Sequence, residues 1–185
     1  MANKQNDTVR SNKWELLFDW LGTIVFTFIL IVFMATFIGH QFQVQQTSMN
    51  PTLYEGDRVV VRSILYTPRN GDIVVFSKEN YGNGQLLVKR VIATGGQTVD
   101  IDGEMGTVAV DGQILNEEYL PEGLATPAFD VPFPVTVPEG SIFVMGDNRG
   151  GSMDSRMLSV GFIDEREVVG KVVAVIAPLS HFGLY

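Results

Sequence analysis

Leu86-Leu87-Val88-Lys89-Arg90-Val91-Ile92-Ala93 is the stretch on which the fold turns. It lies between a loop tip, Tyr81-Gly82-Asn83-Gly84, and Gly95-Gly96. A short, β-branched, apolar run bounded by glycines reads as a strand rather than a helix. With a period of two, Lys89 shares a face with Leu87, Val91 and Ala93, and Arg90 shares the other with Val88 and Ile92. One of the two cations is therefore expected among apolar side chains. Burial disfavours the charged form of a lysine: moving its pKa from ~10.4 to ~7 takes ~3.4 units, or ~4.6 kcal/mol, within the reach of desolvation. A lysine so placed can accept a proton at neutral pH.

Similar strand-like runs lie on both sides. Asp57-Arg58-Val59-Val60-Val61-Arg62, Ile73-Val74-Val75-Phe76 and Ser141-Ile142-Phe143-Val144-Met145 read as strands, and Lys171-Val172-Val173-Ala174-Val175-Ile176-Ala177 as a last one ended by Pro178. Asp111-Gly112 between apolar runs marks a hairpin, and Pro68-Arg69-Asn70-Gly71-Asp72 a turn. With 19 Gly and 8 Pro in 185 residues, the expected class is mainly β, built on antiparallel strands. Residues 97–140 hold nine of the acidic residues and no Lys or Arg, and 117–138 carries five prolines. This segment is read as a small acidic insertion without helix.

Composition also excludes. The chain has a formal net charge of −8 and no basic stripe with interleaved aromatics, so nucleic acid is not an expected partner. With no cysteine, thiolate catalysis, disulfides and cysteine zinc sites are ruled out. His40 and His181 are too few for a histidine metal cluster, and Asp100-x-Asp102-Gly103-Glu104 has the wrong ligand order for a calcium loop. No metal or cofactor is expected. A general base must be Lys, Asp, Glu or one of the two histidines.

Residues 1–19 are polar, and 20–38 then run nineteen residues without a charge. As a helix this run spans ~28 Å, about one hydrocarbon core. It is longer than a signal-peptide core and does not end in small residues, so it reads as an uncleaved anchor. Lys4, Arg10 and Lys13 precede it and no Lys or Arg occurs between Gly39 and Asp57, which places the N-terminus in the cytoplasm and residues 40–185 outside.

Just beyond the anchor stands Gln46-Thr47-Ser48-Met49-Asn50-Pro51-Thr52-Leu53, in which Ser48 is the candidate nucleophile and Pro51 stiffens the backbone after it. A third informative stretch follows the strand at 141–145: Gly146-Asp147-Asn148-Arg149-Gly150-Gly151-Ser152-Met153-Asp154-Ser155-Arg156. Asp154 and Arg156, two apart in an extended segment, are placed to pair and stiffen this loop.

An anchor, Ser48-Met49-x-Pro51, Lys89-Arg90-Val91 and Gly146-Asp147-Asn148-Arg149-x-x-Ser152-x-Asp154-Ser155-Arg156, in that order, closely resemble the bacterial type I signal peptidases. The resemblance runs from the anchor through Phe182-Gly183 and implies a membrane-bound Ser-Lys endopeptidase. Such an enzyme removes signal peptides from exported preproteins, cutting after small residues in an Ala-x-Ala-like pattern. Its fold is a coiled, mostly antiparallel β structure with a smaller β insertion. The implied roles are nucleophile for Ser48, general base for Lys89, orientation of the lysine amine for Ser152, and bracing for Asp147, Asp154 and Arg156. The implied partners are preproteins delivered by the secretion translocon and the lipid bilayer of the cell membrane. In one respect the chain departs from the family, which often has Ser, Thr or Gly two positions before the nucleophile. Here that residue is Gln46. In an extended segment Gln46 projects to the same side as Ser48, so its side-chain amide is one candidate oxyanion donor beside the Ser48 N–H; the other reading is that Gln46 faces water or substrate and a backbone donor or water completes the hole. Self-cleaving repressors of similar chemistry carry a DNA-binding domain in place of the anchor. A binding module without activity would need neither Ser48 nor Lys89.

Overall fold

The computed structural model describes residues 3–37, 40–78 and 85–185, with side chains of the helix described over 14–32. The loop tip expected at 81–84 lies outside the described residues. The chain divides into two units, Met1–Gly39 and His40–Tyr185.

The first unit is one helix, α1 (Asn3–Phe37). It begins well before the apolar run, because no glycine or proline interrupts residues 3–19. Within it, Trp14–Val32 is long and apolar enough to cross a membrane, and its Phe18, Trp20, Phe26 and Ile29 side chains are exposed.

The second unit is antiparallel β. Its strands are β1 (His40–Gln43), β2 (Arg58–Arg62), β3 (Ile73–Ser77), β4 (Leu86–Thr94), β5 (Thr98–Asp102), β6 (Thr107–Val110), β7 (Gln113–Ile114), β8 (Val135–Thr136), β9 (Ser141–Met145), β10 (Ile163–Asp164), β11 (Val168–Ala177) and β12 (Gly183–Leu184). The larger sheet runs β1-β2-β11-β3-β4-β9-β10, and β12 adds to β11 where β3 has ended. The smaller sheet runs β7-β6-β5-β8 and is built wholly from residues of the acidic segment. Asp111 and Gly112 make its two-residue hairpin, both with positive φ, of 52° and 77°, the geometry Asp-Gly is suited to.

Strand β4 joins the two sheets. Its Leu87 and Val91 pack with Val74, Phe76 and Val144, whereas Ile92 and Ala93 pack with Val99 and Val108 of the smaller sheet. Covered on both faces, β4 buries Arg90 as well as Lys89, where the alternation of residues predicted one buried cation. The segment 117–138 is turns and extended chain with β8 near its end, and holds no helix.

Candidate active site

Ser48 sits in a tight turn. Asn50 N–H donates to Thr47 O, and Thr52 and Leu53 N–H both donate to Met49 O. Met49 and Leu53 are buried in the core beside Val59 and Val75, so apolar burial on the C-terminal side holds this turn in place. From β4, Lys89 reaches across and its Nζ donates to Ser48 Oγ at 2.7 Å. Both side chains are buried, and Lys89 makes no ion pair with any described residue. Burial lowers the Lys89 pKa to about 8; Asp154 opposes the shift, Arg156 adds to it and Asp147 again opposes it.

The loop after β9 is fixed to this turn by hydrogen bonds. Asn148 N–H donates to Ser48 O at 3.0 Å, and Asn148 Nδ2 donates to Thr47 O at 3.2 Å. Gly146 permits the close approach, since a Cβ there would overlap both the Ser48 carbonyl and Ser152 Oγ. Asp154 Oδ2 accepts from Gly146 N–H at 2.9 Å and pairs through both oxygens with Arg156, each bond 2.8 Å, with both side chains fully buried. Asp147 likewise takes both Nε and Nη2 of Arg90, at 2.9 and 2.7 Å. A forked guanidinium facing a carboxylate is the pairing that best repays desolvation.

Ser152 lies in the same loop, beside Gly146. Its Oγ is buried against Gly146 and has no hydrogen-bond partner among the described residues, while the Lys89 amine donates to Ser48 Oγ. Gln46 is exposed and lines, with Ser48, the groove between residues 43–46 and 85–88. The Ser48 N–H donates to no acceptor among the described residues. Strand β9 pairs with β4 only from Arg90 onward, which leaves the edge of 86–88 on the groove side without a strand.

A profile described as "Signal peptidase, peptidase S26" matches residues 17–177. The chain belongs to this signal peptidase family. It is 36% identical to "Probable signal peptidase I-1" of Synechocystis sp., over 97% of this chain and 91% of that one. It is 35% identical to "Signal peptidase I" of Bacillus licheniformis, over 92% and 94%, and 34% identical to "Signal peptidase IB" of Staphylococcus aureus, over 92% and 94%. A crystal structure of a signal peptidase I from Enterococcus faecalis V583 overlaps 58% of this chain and 97% of that one, at 31% identity and a TM-score of 0.45. Membership of a signal peptidase family makes the chain a serine peptidase that acts on signal-peptide-bearing preproteins, and its apolar N-terminal helix fits a membrane anchor.

Within this signal peptidase domain, three further groups that sequence reading left without a role belong to the site. Arg90 is Asp147's partner, with its guanidinium also 3.7 Å from the centre of the Tyr119 ring. Arg149 is fully buried and forks onto Glu117, while also donating to Thr126 Oγ1 at 3.2 Å. Asn148 clamps the Ser48 turn. Thus Arg90, Arg149 and Arg156 each tie the site to the 117–131 segment; Arg156 does so through Pro127 O at 3.0 Å and the Phe129 ring. Only the Arg-rich composition of 146–156 hinted at this, since partners 30 residues distant cannot be read from spacing.

Proposed function

We propose that this signal peptidase cleaves by a Ser48–Lys89 dyad. The observation that carries the reading is the 2.7 Å contact between Lys89 Nζ and Ser48 Oγ, with the amine buried and without an ion-pair partner among the described residues. An extended signal peptide lies along the free edge of 86–88, adding backbone hydrogen bonds. Ser48 Oγ attacks the scissile carbonyl as its proton passes to neutral Lys89. The oxyanion is held by Ser48 N–H and the Gln46 amide, and collapse passes the proton from Lys89 to the leaving amine. Water, deprotonated by Lys89, then releases the acyl group. The ion pairs of Asp147 and Asp154 keep Ser48 and Lys89 in register, and Ser152 closes the wall beside Gly146. Cleavage follows small residues in an Ala-x-Ala-like pattern. Residues 20–38 cross the cell membrane with 1–19 in the cytoplasm and 40–185 outside, where the translocon delivers preproteins to the bilayer surface.

Incubating the detergent-solubilised chain with a preprotein and sequencing the new N-terminus tests this. A single cut after an Ala-x-Ala site, lost in Ser48→Ala, is the expected result; a cut that survives Ser48→Ala overturns it. Gln46→Ala should lower kcat ~10²–10³-fold with KM little changed. A rate within a few-fold of the parent removes Gln46 from the oxyanion site.

A further inference from the structure

Asp57 is a buried carboxyl group that takes no part in the cleavage steps above. It is 1% exposed, lies on the C-terminal side of Ser48 and has no Lys or Arg partner among the described residues. A carboxylate removed from water needs hydrogen bonds in its place, and those it makes show what it holds. Its Oδ2 accepts from Tyr54 N–H at 2.8 Å, and its Oδ1 lies 2.8 Å from His181 Nδ1. Because a carboxylate only accepts, Nδ1 carries the hydrogen and donates it. The Asp57 backbone closes a loop as well: Val44 N–H donates to Asp57 O at 2.9 Å, and Gly56 N–H to Val44 O at 2.8 Å. Residues 44–57, with Ser48 among them, therefore form a loop whose two ends are tied together at Asp57.

His181 reaches this loop from another part of the chain. After β11 comes a short 3₁₀ turn, Leu179–His181, and then β12, in which Gly183 and Leu184 pair with Val175 and Ala174. Tyr185 N–H adds a bond to Val173 O at 3.1 Å, so the segment is fixed to a strand whose Val172 and Val175 belong to the core. From this support two side chains extend to the nucleophile loop. His181 takes Asp57, with its ring centre 4.9 Å from that of Tyr54, and Tyr185 OH donates to Thr52 O at 3.1 Å. Both residues lie beyond 177, where the match to the family profile ends. The loop is thus held in two halves: Asn148 binds it at Thr47 O and Ser48 O, and the 179–185 segment binds it at Thr52 and Asp57.

We propose that His181 and Tyr185 are positioning residues for the peptidase reaction: through Asp57 and Thr52 they fix the 44–57 loop so that Ser48 Oγ stays within reach of Lys89 Nζ. The proposal rests on Ser48 and Lys89 being the catalytic pair. Their 2.7 Å contact leaves little room for drift, and a small displacement of a nucleophile is costly in rate. Val44, Gln45 and Gln46 line the substrate groove, and the backbone bonds at Val44 remain when the two clamping side chains are removed. The loss therefore falls on kcat rather than on KM.

The test uses the full-length, detergent-solubilised chain and a soluble peptide with an Ala-x-Ala site, with kcat expressed per folded molecule as read from urea unfolding. The His181 side chain is 39% exposed, so His181→Ala should fold. Its kcat should fall about three- to thirtyfold with KM little changed. In His181→Asn an amide N–H replaces Nδ1–H, and most of the loss should be recovered. Tyr185→Phe keeps the ring, removes the bond to Thr52 O and should lower kcat about two- to fivefold. A His181→Ala enzyme within about twofold of the parent, a loss confined to KM or to the unfolding midpoint, or equal losses in His181→Ala and His181→Asn overturns the clamp at Asp57. An unchanged Tyr185→Phe overturns the part assigned to Thr52. Ser48→Ala is run beside them: activity that survives there overturns the dyad and the proposal with it, whereas an inactive Ser48→Ala beside an unimpaired His181→Ala overturns the proposal alone.

Discussion

Lys89 and Arg90 are neighbours on one strand, both buried, and their surroundings differ in one respect. Arg90 meets a carboxylate on two of its nitrogens, whereas the Lys89 amine, among the described residues, hydrogen-bonds the neutral hydroxyl of Ser48. The guanidinium keeps its charge and its pairing holds structure. Without a carboxylate in contact, the amine has desolvation as the strongest influence on its titration, and its pKa falls to about 8. The same burial thus produces a brace on one side of the strand and, on the other, an amine whose charged form is disfavoured.

The largest effect expected comes from making the first residue like the second. Lys89→Arg keeps the positive charge but gives it to a group that cannot release a proton near neutrality. Peptide cleavage should fall ~10²–10⁴-fold in a folded preparation, the span that general base catalysis covers. The parent's activity should rise with pH and level off above about 8, following deprotonation of Lys89. A parent profile already flat at pH 5, or an active Lys89→Arg enzyme, would break the comparison.

Breaking the second residue should cost stability first. Asp147→Asn preserves shape but leaves Arg90 buried beside a neutral amide, and loss of one member of a buried pair typically costs ~3–5 kcal/mol. Urea unfolding of the solubilised protein measures it; a loss under ~1 kcal/mol would mean that Arg90 is effectively solvated.

Stability should respond in the opposite sense when Lys89 is replaced by Met. The folded pKa of about 8 lies below the value of 10.5 for a free lysine, so between these the unfolded chain binds more protons and stability rises with pH. The protonated amine therefore weakens the fold by about 3 kcal/mol at neutral pH, a penalty relieved as pH climbs through that window. Lys89→Met should exceed the parent in stability at pH 7, by a margin that shrinks toward pH 10.5. A margin independent of pH would show that packing, not charge, is responsible.

How much of this was legible depended on the range of the interaction. The strands around Val59, Val74 and Val144 announced themselves by composition, and the Asp154–Arg156 pair by its spacing of two. β1, β10 and β12 did not, because short polar segments such as His40-Gln41-Phe42-Gln43 become strands only through a neighbour's backbone. The positions of Ser48 and Lys89 in the chain were readable, but their separation of 41 positions gave no evidence of contact. Arg90–Asp147 and Arg149–Glu117 join residues 57 and 32 apart, and which acid takes which arginine is decided by tertiary packing alone. Ser152 illustrates the same limit: the motif places a hydroxyl in the loop, but which group that hydroxyl meets depends on packing against Gly146.

The smallest effect concerns what keeps the hydroxyl within the amine's reach. Asn148 holds the Ser48 turn through two bonds, of which only the one from Nδ2 to Thr47 O belongs to its side chain. Asn148→Ala deletes that bond and leaves the backbone bond to Ser48 O. A neutral hydrogen bond at an exposed position contributes about 0.5–1.5 kcal/mol, so the expected loss in kcat is roughly two- to tenfold. Since Thr47 O still accepts from Asn50 N–H at 3.1 Å, the carbonyl is not stranded and the fold should hold. The effect should appear in kcat rather than KM, and the pH midpoint near 8 should not move, because the surroundings of Lys89 are unchanged. A shifted midpoint would mean that Asn148 acts on the amine itself, and an unchanged kcat would mean that Met49, Leu53 and the remaining backbone bonds are sufficient to hold Ser48.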